Sequence, residues 1–311
     1  MELMNQNNDC INGCLLDNEI LNSQTAGEII DTNLVSKGAV LIRNLNLSSP
    51  EKLAAIIAKL SPPDPWFTYE QRATPRKSLG ANIFTSTEYN AISSIYAHNE
   101  CANQTSWPRK LYFFCKNASE QGGATPLTDM RAVTSNLPDE ISSAFKQKGL
   151  LYMRSIGAQF GVSLEYAFGT TDKFEIEDYC SRENIEIVWK EGGALQMRFV
   201  RPAFREHPIS AEILWFNHLM FYSVVSLEPK LRRIVSKMPI NQRAFHAAYA
   251  DGSEIPVEML EEIRRIYDKY TYRFDWHNGD LLIIDNMLFA HGRDPYKGNR
   301  DIWVALTEAI A

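Results

Sequence analysis

Asp280-Leu-Leu-Ile-Ile-Asp-Asn-Met-Leu-Phe-Ala-His-Gly-Arg293 is the stretch on which the reading of this chain turns. Gly279-Asp280 reads as a turn. Leu281 to Ile284 is a short apolar run bounded by turn residues, the pattern of a buried strand. His291 closes the stretch beside Gly292, at the mouth of that strand, where an imidazole is placed to point inward. A histidine satisfied by hydrogen bonds within a core fits the same position.

Working outward, the same signal recurs. Gly38 to Arg43, Leu111 to Cys115, Leu150 to Ile156, Ile185 to Trp189, Gln196 to Val200, Ile213 to Phe216, Tyr272 to Trp276 and Ile302 to Thr307 all read as short strands. Helical periodicity marks Thr25 to Val35, Ser49 to Leu60, Pro138 to Lys148, Leu227 to Met238 and Pro256 to Tyr270. In the second of these, a serine cap, Pro50 in the first turn and Glu51 near the positive helix end set the start. Pro62-Pro63-Asp64-Pro65 breaks the chain, and Gly161 to Asn184 reads as a helical insertion over the core. Many short strands with segregated helices predict a mainly β protein with flanking helices, built on a β-sandwich or jelly-roll core. Residues 1–20 read as a flexible leader and residues 21–311 as a single domain, with the insertion near 161–184.

Composition narrows the classes. A hydrophobic share of 45% is ordinary for a globular protein. The formal net charge of -6 and the lack of any Lys/Arg-rich block argue against nucleic-acid binding, which needs a basic face. No run is long and apolar enough to span a bilayer, so no membrane partner is expected. Met1 to Asn12 lacks the basic and apolar regions of a secretory signal, which makes the cytoplasm the expected compartment. Five cysteines do not look like a disulfide framework, and Cys10 and Cys14, the only close pair, read as free thiols.

His98-Asn99-Glu100 carries the chemistry. On an extended segment, residues two apart share a face, so an imidazole and a carboxylate converge. That is two thirds of a 2-His-1-carboxylate triad, the ligand set that leaves positions open on iron(II). Alone, His-x-Glu is a weak signal that an exposed strand end produces by chance. His291 is the best third ligand. His277 and His207 read as turn residues, His246 as lying in a loop or helix end, and His218 as able to line a pocket.

Further runs occur in order with these: Phe84-Thr-Ser-Thr-Glu88-Tyr89, Ser106-Trp-Pro108, Gly122-Gly-Ala-Thr-Pro-Leu-Thr-Asp129, Val200-Arg-Pro202 and Trp215-Phe-Asn217. Together they resemble the TauD/TfdA family of Fe(II)/2-oxoglutarate-dependent dioxygenases, closest to its SyrP-like, asparagine-hydroxylase-like branch. The resemblance spans roughly residues 70–308. It implies a double-stranded β-helix, iron on His98, Glu100 and His291, and O2 as oxidant. It carries 2-oxoglutarate binding to Thr125, through its hydroxyl, and to Arg300, through the distal carboxylate. Arginine suits that task as a fixed, always-charged fork. Arg293, nearer His291, is the competitor.

The resemblance also implies the reaction. It points to hydroxylation of an amino acid, free or tethered to a carrier protein, in natural-product biosynthesis. Desaturation or cyclisation would use the same ligands. Glu100 speaks against halogenation, which needs a small residue there. Glu88 and Arg76 are candidates for a substrate amino and carboxyl group, and Asn217 and His218 for its polar side chain; for each, a structural role is at least as good a reading. Two rivals remain at this point: a mononuclear zinc hydrolase, and a family member that binds a ligand without catalysis.

Overall fold

The Leu281–Asp285 strand lies inside a seven-stranded sheet. The order is Cys14–Leu16, Ala39–Ile42, Leu281–Asp285, Trp107–Asn117, Asp301–Ile310, Ile83–Thr85 and Ser78–Gly80. Only the first pair is parallel. The computed structural model describes residues 3–4, 10–11, 13–62, 65–67, 76–157 and 161–311, with side chains described from residue 13 onward.

The apolar run is uninterrupted because both faces of this sheet are dry. Leu282 and Ile284 join Leu111, Phe113, Val304 and Leu306 on the inner face. Leu281 and Ile283 turn the other way, with Val40 and Tyr112, onto Ile30 and Leu34 of helix Ala26–Lys37 and Leu53 and Ile57 of helix Pro50–Leu60. All four residues from Leu281 to Ile284 are fully buried, each contributing roughly 1.5–3 kcal/mol of burial free energy.

A second sheet of four strands, ordered Thr271–Tyr272, Leu127–Asp129, Phe289–Arg293 and Ile95–His98, packs on that inner face through Leu127 and Phe289. Two sheets closing on one core make the jelly roll that the sequence led us to expect. A third sheet, Glu186–Trp189, Leu195–Arg201, Leu150–Ile156 and Phe245–Tyr249, forms a separate core with helices Lys173–Arg182 and Val257–Lys269. The segment 161–184 is helical, as helices Leu164–Phe168 and Lys173–Arg182.

Several expectations need correction. Residues 14–16 are not a loose leader: they pair with Val40 to Ile42 as an edge strand, and Cys14 is a buried thiol. Tyr272 to Trp276 is a strand only over Thr271–Tyr272, although Phe274 and Trp276 are buried. The helix expected over Leu227 to Met238 is confined to Pro229–Val235. His246 lies on a strand, not in a loop or helix end. His207 does open the turn at residues 208–210, but it is fully buried, with Nε2 3.1 Å from Asp285. Residues 63–64 of the expected Pro62–Pro65 break and the Cys10 side chain lie outside the described part. Among the described residues, no helix is long and apolar enough to cross a membrane.

Candidate metal centre

Strand pairing builds the site. His98 ends the Ile95–His98 strand and stands directly opposite His291 on Phe289–Arg293. The register slips between His291 and Arg293, where Gly292 lies against the Ile95 carbonyl. On the other side, His291 pairs with Leu127, two residues after Thr125.

Glu100 reaches the site differently from the simple strand picture. The strand stops at His98, and Glu100 opens a turn that continues into Cys101 at φ 57°. Asn286 holds that turn. Its Oδ1 accepts from the Glu100 amide at 2.7 Å, and its Nδ2 donates to the Glu100 carbonyl and the Pro108 carbonyl, each at 2.9 Å. Asn99 Nδ2 returns a bond to the Asn286 carbonyl at 2.6 Å.

The outcome is a tight cluster. Donor atoms of His98, Glu100 and His291 all lie within 4.8 Å of one another. His291 Nε2 is 3.8 Å from Glu100 Oε2. His98 Nδ1 donates to the Tyr96 carbonyl at 2.9 Å, which fixes the ring and leaves Nε2 with a free lone pair. Burial pushes both imidazoles below their ordinary range, His291 well below it, so both are neutral near pH 7. Burial pulls Glu100 the other way, but Arg76, then His98 and His291, outweigh it and hold the carboxyl at about 2. Two neutral nitrogen ligands and one ionised oxygen ligand, with no thiolate, fit iron(II).

A pocket opens beside the cluster, lined among others by His98, His291, Phe113, Thr125, Arg293 and Arg300. Arg300 is anchored by Nε to the Gly123 carbonyl at 2.9 Å, and its Nη2 reaches Thr125 Oγ1 at 3.3 Å. Burial, then Arg293, lower its pKa to about 10, which leaves it cationic at neutral pH. Arg293 is spent on structure: it donates to the carbonyls of Tyr89, Asn90 and Ser93 at 2.6–3.0 Å. Thr125 also accepts from Trp276 Nε1 at 3.1 Å.

Comparison with known proteins gives the family. A family profile described as taurine catabolism dioxygenase TauD, TfdA family, matches residues 15–306. The chain belongs to the TauD/TfdA family. With that membership it is an Fe(II)/2-oxoglutarate-dependent dioxygenase, and the zinc-hydrolase reading is set aside. It is 35% identical over 282 residues to the dapdiamide synthesis protein DdaC of Enterobacter agglomerans, covering 90% of this chain and 85% of that one. It is 26% identical over 293 residues to a clavaminate synthase-like protein of Arabidopsis thaliana, covering 91% and 85%. PvcB of Pseudomonas aeruginosa shares the fold, with a TM-score of 0.58 at 14% identity over 98% of this chain and 89% of that one.

The substrate candidates fare unevenly within this TauD/TfdA site. Arg76 lines the pocket and pairs with Glu100 at 2.8 Å. His218 is buried beside His98, with ring centroids 6.0 Å apart, and its Nε2 is tied to the Asn99 carbonyl at 2.6 Å. Burial, then His98, bring its pKa to about 4. Asn217 serves the backbone, donating to the Ala203 carbonyl and accepting from the Leu219 amide, both at 2.9 Å. Glu88 is exposed and pairs with Lys77 at 3.0 Å. The sequence reading missed two residues. Asn286 stood unassigned inside the motif that supplied His291. Trp276 gave no signal beyond its place in an apolar alternation with Phe274.

Proposed function

We propose that His98, Glu100 and His291 bind iron(II) and that Arg300 and Thr125 bind the distal carboxylate of 2-oxoglutarate. We infer that the substrate is an amino acid, or an aminoacyl group tethered to a carrier protein, hydroxylated in natural-product biosynthesis. The observation that carries this reading is the meeting of three donor groups within 4.8 Å at one end of a pocket whose lining includes an anchored arginine and a threonine hydroxyl.

When bound, iron and 2-oxoglutarate supply the oxidising power, drawn from O2, that converts a substrate C–H bond to C–OH. The chain's own residues bind and orient. Arg300 neutralises one end of a small dicarboxylate, and its bond to Gly123 fixes its direction before the ligand arrives. Phe113, packed 5.0 Å from the His291 ring, and Ile302 and Val304 keep that wall apolar and limit water. Arg76 is the proposed anchor for a substrate carboxylate, because it is the pocket cation that touches a proposed ligand. His218 and Phe221, which pack on His98, bound the same region.

The substrate class is supported by relatives. DdaC is named for dapdiamide synthesis, and PvcB is described as an Fe, alpha-ketoglutarate dependent oxygenase from an isonitrile synthetic pathway. The cytoplasm is the proposed compartment, in keeping with the free thiols of Cys101, Cys115 and Cys180.

The test is succinate release from 2-oxoglutarate with added iron(II), followed by mass spectrometry of free and carrier-bound amino acids. A gain of one oxygen atom in the amino acid, lost in His98→Ala, is expected. Loss of two hydrogens would instead mark desaturation. Turnover that persists without iron, or in His98→Ala, would refute the assignment. No turnover with any candidate would favour a ligand-binding family member.

A further inference from the structure

Thr125 is almost fully buried, and its hydroxyl oxygen meets two donors: Trp276 Nε1 at 3.1 Å and Arg300 Nη2 at 3.3 Å. A hydroxyl has one proton to give and two lone pairs to offer. Indole N–H and guanidinium N–H groups can only donate. Both lone pairs are therefore committed, and the Thr125 proton is the only capacity left.

We propose that Trp276 is a positioning residue that sets the polarity of the 2-oxoglutarate site. By donating to Thr125, it compels that hydroxyl to act as a donor toward the ligand. The inference rests on the reading of Thr125 and Arg300 given above. Without Trp276 the hydroxyl can rotate and spend its proton elsewhere, leaving Arg300 to hold the carboxylate alone. The indole is itself buried and packs edge-on against Phe274, with ring centroids 4.7 Å apart, so it has little freedom to turn away. The arrangement also selects chemistry. An oxygen that only accepts is welcome beside Thr125, whereas a terminal amide that presents its N–H there would face another donor.

The experiment is anaerobic titration of 2-oxoglutarate into the iron(II)-loaded protein, read by the metal-to-ligand charge-transfer absorption. Wild type, Trp276→Phe, Thr125→Val and the double variant are compared. Trp276→Phe should weaken 2-oxoglutarate binding by roughly three- to tenfold, the worth of one oriented hydrogen bond, with iron affinity unchanged. The double variant should be no weaker than Thr125→Val, because the tryptophan acts through the threonine. Additive losses, or a Trp276→Phe protein that binds like wild type, would overturn the proposal. Should Trp276→Phe fail to fold, 3-benzothienylalanine at position 276 keeps the shape and removes only the N–H, with the same expected weakening and the same refutation. A wild type that does not bind 2-oxoglutarate, or a Thr125→Val protein with undiminished affinity, would instead remove the underlying assignment and the inference with it.

Discussion

Arg293 and Arg300 carry the same guanidinium but hold different things. Arg293 ties down the carbonyls of residues 89, 90 and 93, while Arg300 is held by one carbonyl and one hydroxyl beside the pocket. Arg300→Lys is expected to raise the apparent Kd for 2-oxoglutarate at least about tenfold, since an ammonium loses the two-pronged grip on a carboxylate. Arg293→Lys should leave that Kd within about threefold and lower thermal stability instead. A reversed pattern in the same titration would exchange their roles. Asn286→Ala removes the clamp on the Glu100 turn and should weaken iron(II) binding by about 10–100-fold, measured by anaerobic iron titration. Unchanged affinity would show that the turn holds its shape unaided. The proposed ligands were legible because their residue types and spacing belong to a chemistry. The clamp was not, because an asparagine beside an aspartate in a strand-end motif looks like any turn residue.

The strands carry a different lesson. Runs that are apolar on both faces, such as Leu281 to Ile284 and Leu111 to Cys115, were readable from composition alone, since a doubly covered strand has no polar face to confuse the pattern. Cys14–Leu16 and Phe274 to Trp276 were misread for the opposite reason. The first is three residues at a sheet edge behind a polar segment; the second alternates like a strand but is mostly unpaired. No local pattern reveals which strand will lie beside another, and here that choice makes the site. At Gly292 the two strands leave no room for a side chain: a Cβ there would sit 2.6 Å from the Ile95 carbonyl oxygen. Gly292→Ala should therefore push the His98 and His291 strands apart and cost about 1–3 kcal/mol in urea unfolding, with weakened iron binding. A neutral effect on both would mean the strands can yield without disturbing the ligands.

Across the whole molecule, charge is buried outside the pocket lining as well as in it. Lys110, fully buried, meets Asp31 at 2.5 Å and Glu308 at 2.7 Å, and Arg109 shares both carboxylates while lying 3.8 Å from Asp285. This network ties the first helix to the last strand and to the residue just before Asn286. Lys110→Met keeps the bulk but strands one carboxylate charge, with an expected loss of about 3 kcal/mol in urea unfolding and little change in the apparent Kd for 2-oxoglutarate. A stability gain would show that the cluster is kept for specificity rather than strength.

The pairing of His98 with His291 also has a consequence for how the protein comes to be made. The two imidazoles sit on adjacent strands, yet about 190 residues of chain separate them, so their contact is a long-range one that folding must secure. On a ribosome, the first imidazole and the carboxylate emerge long before the second imidazole is synthesised. A nascent chain therefore offers only part of the proposed grip on ferrous ion until the second imidazole has been made.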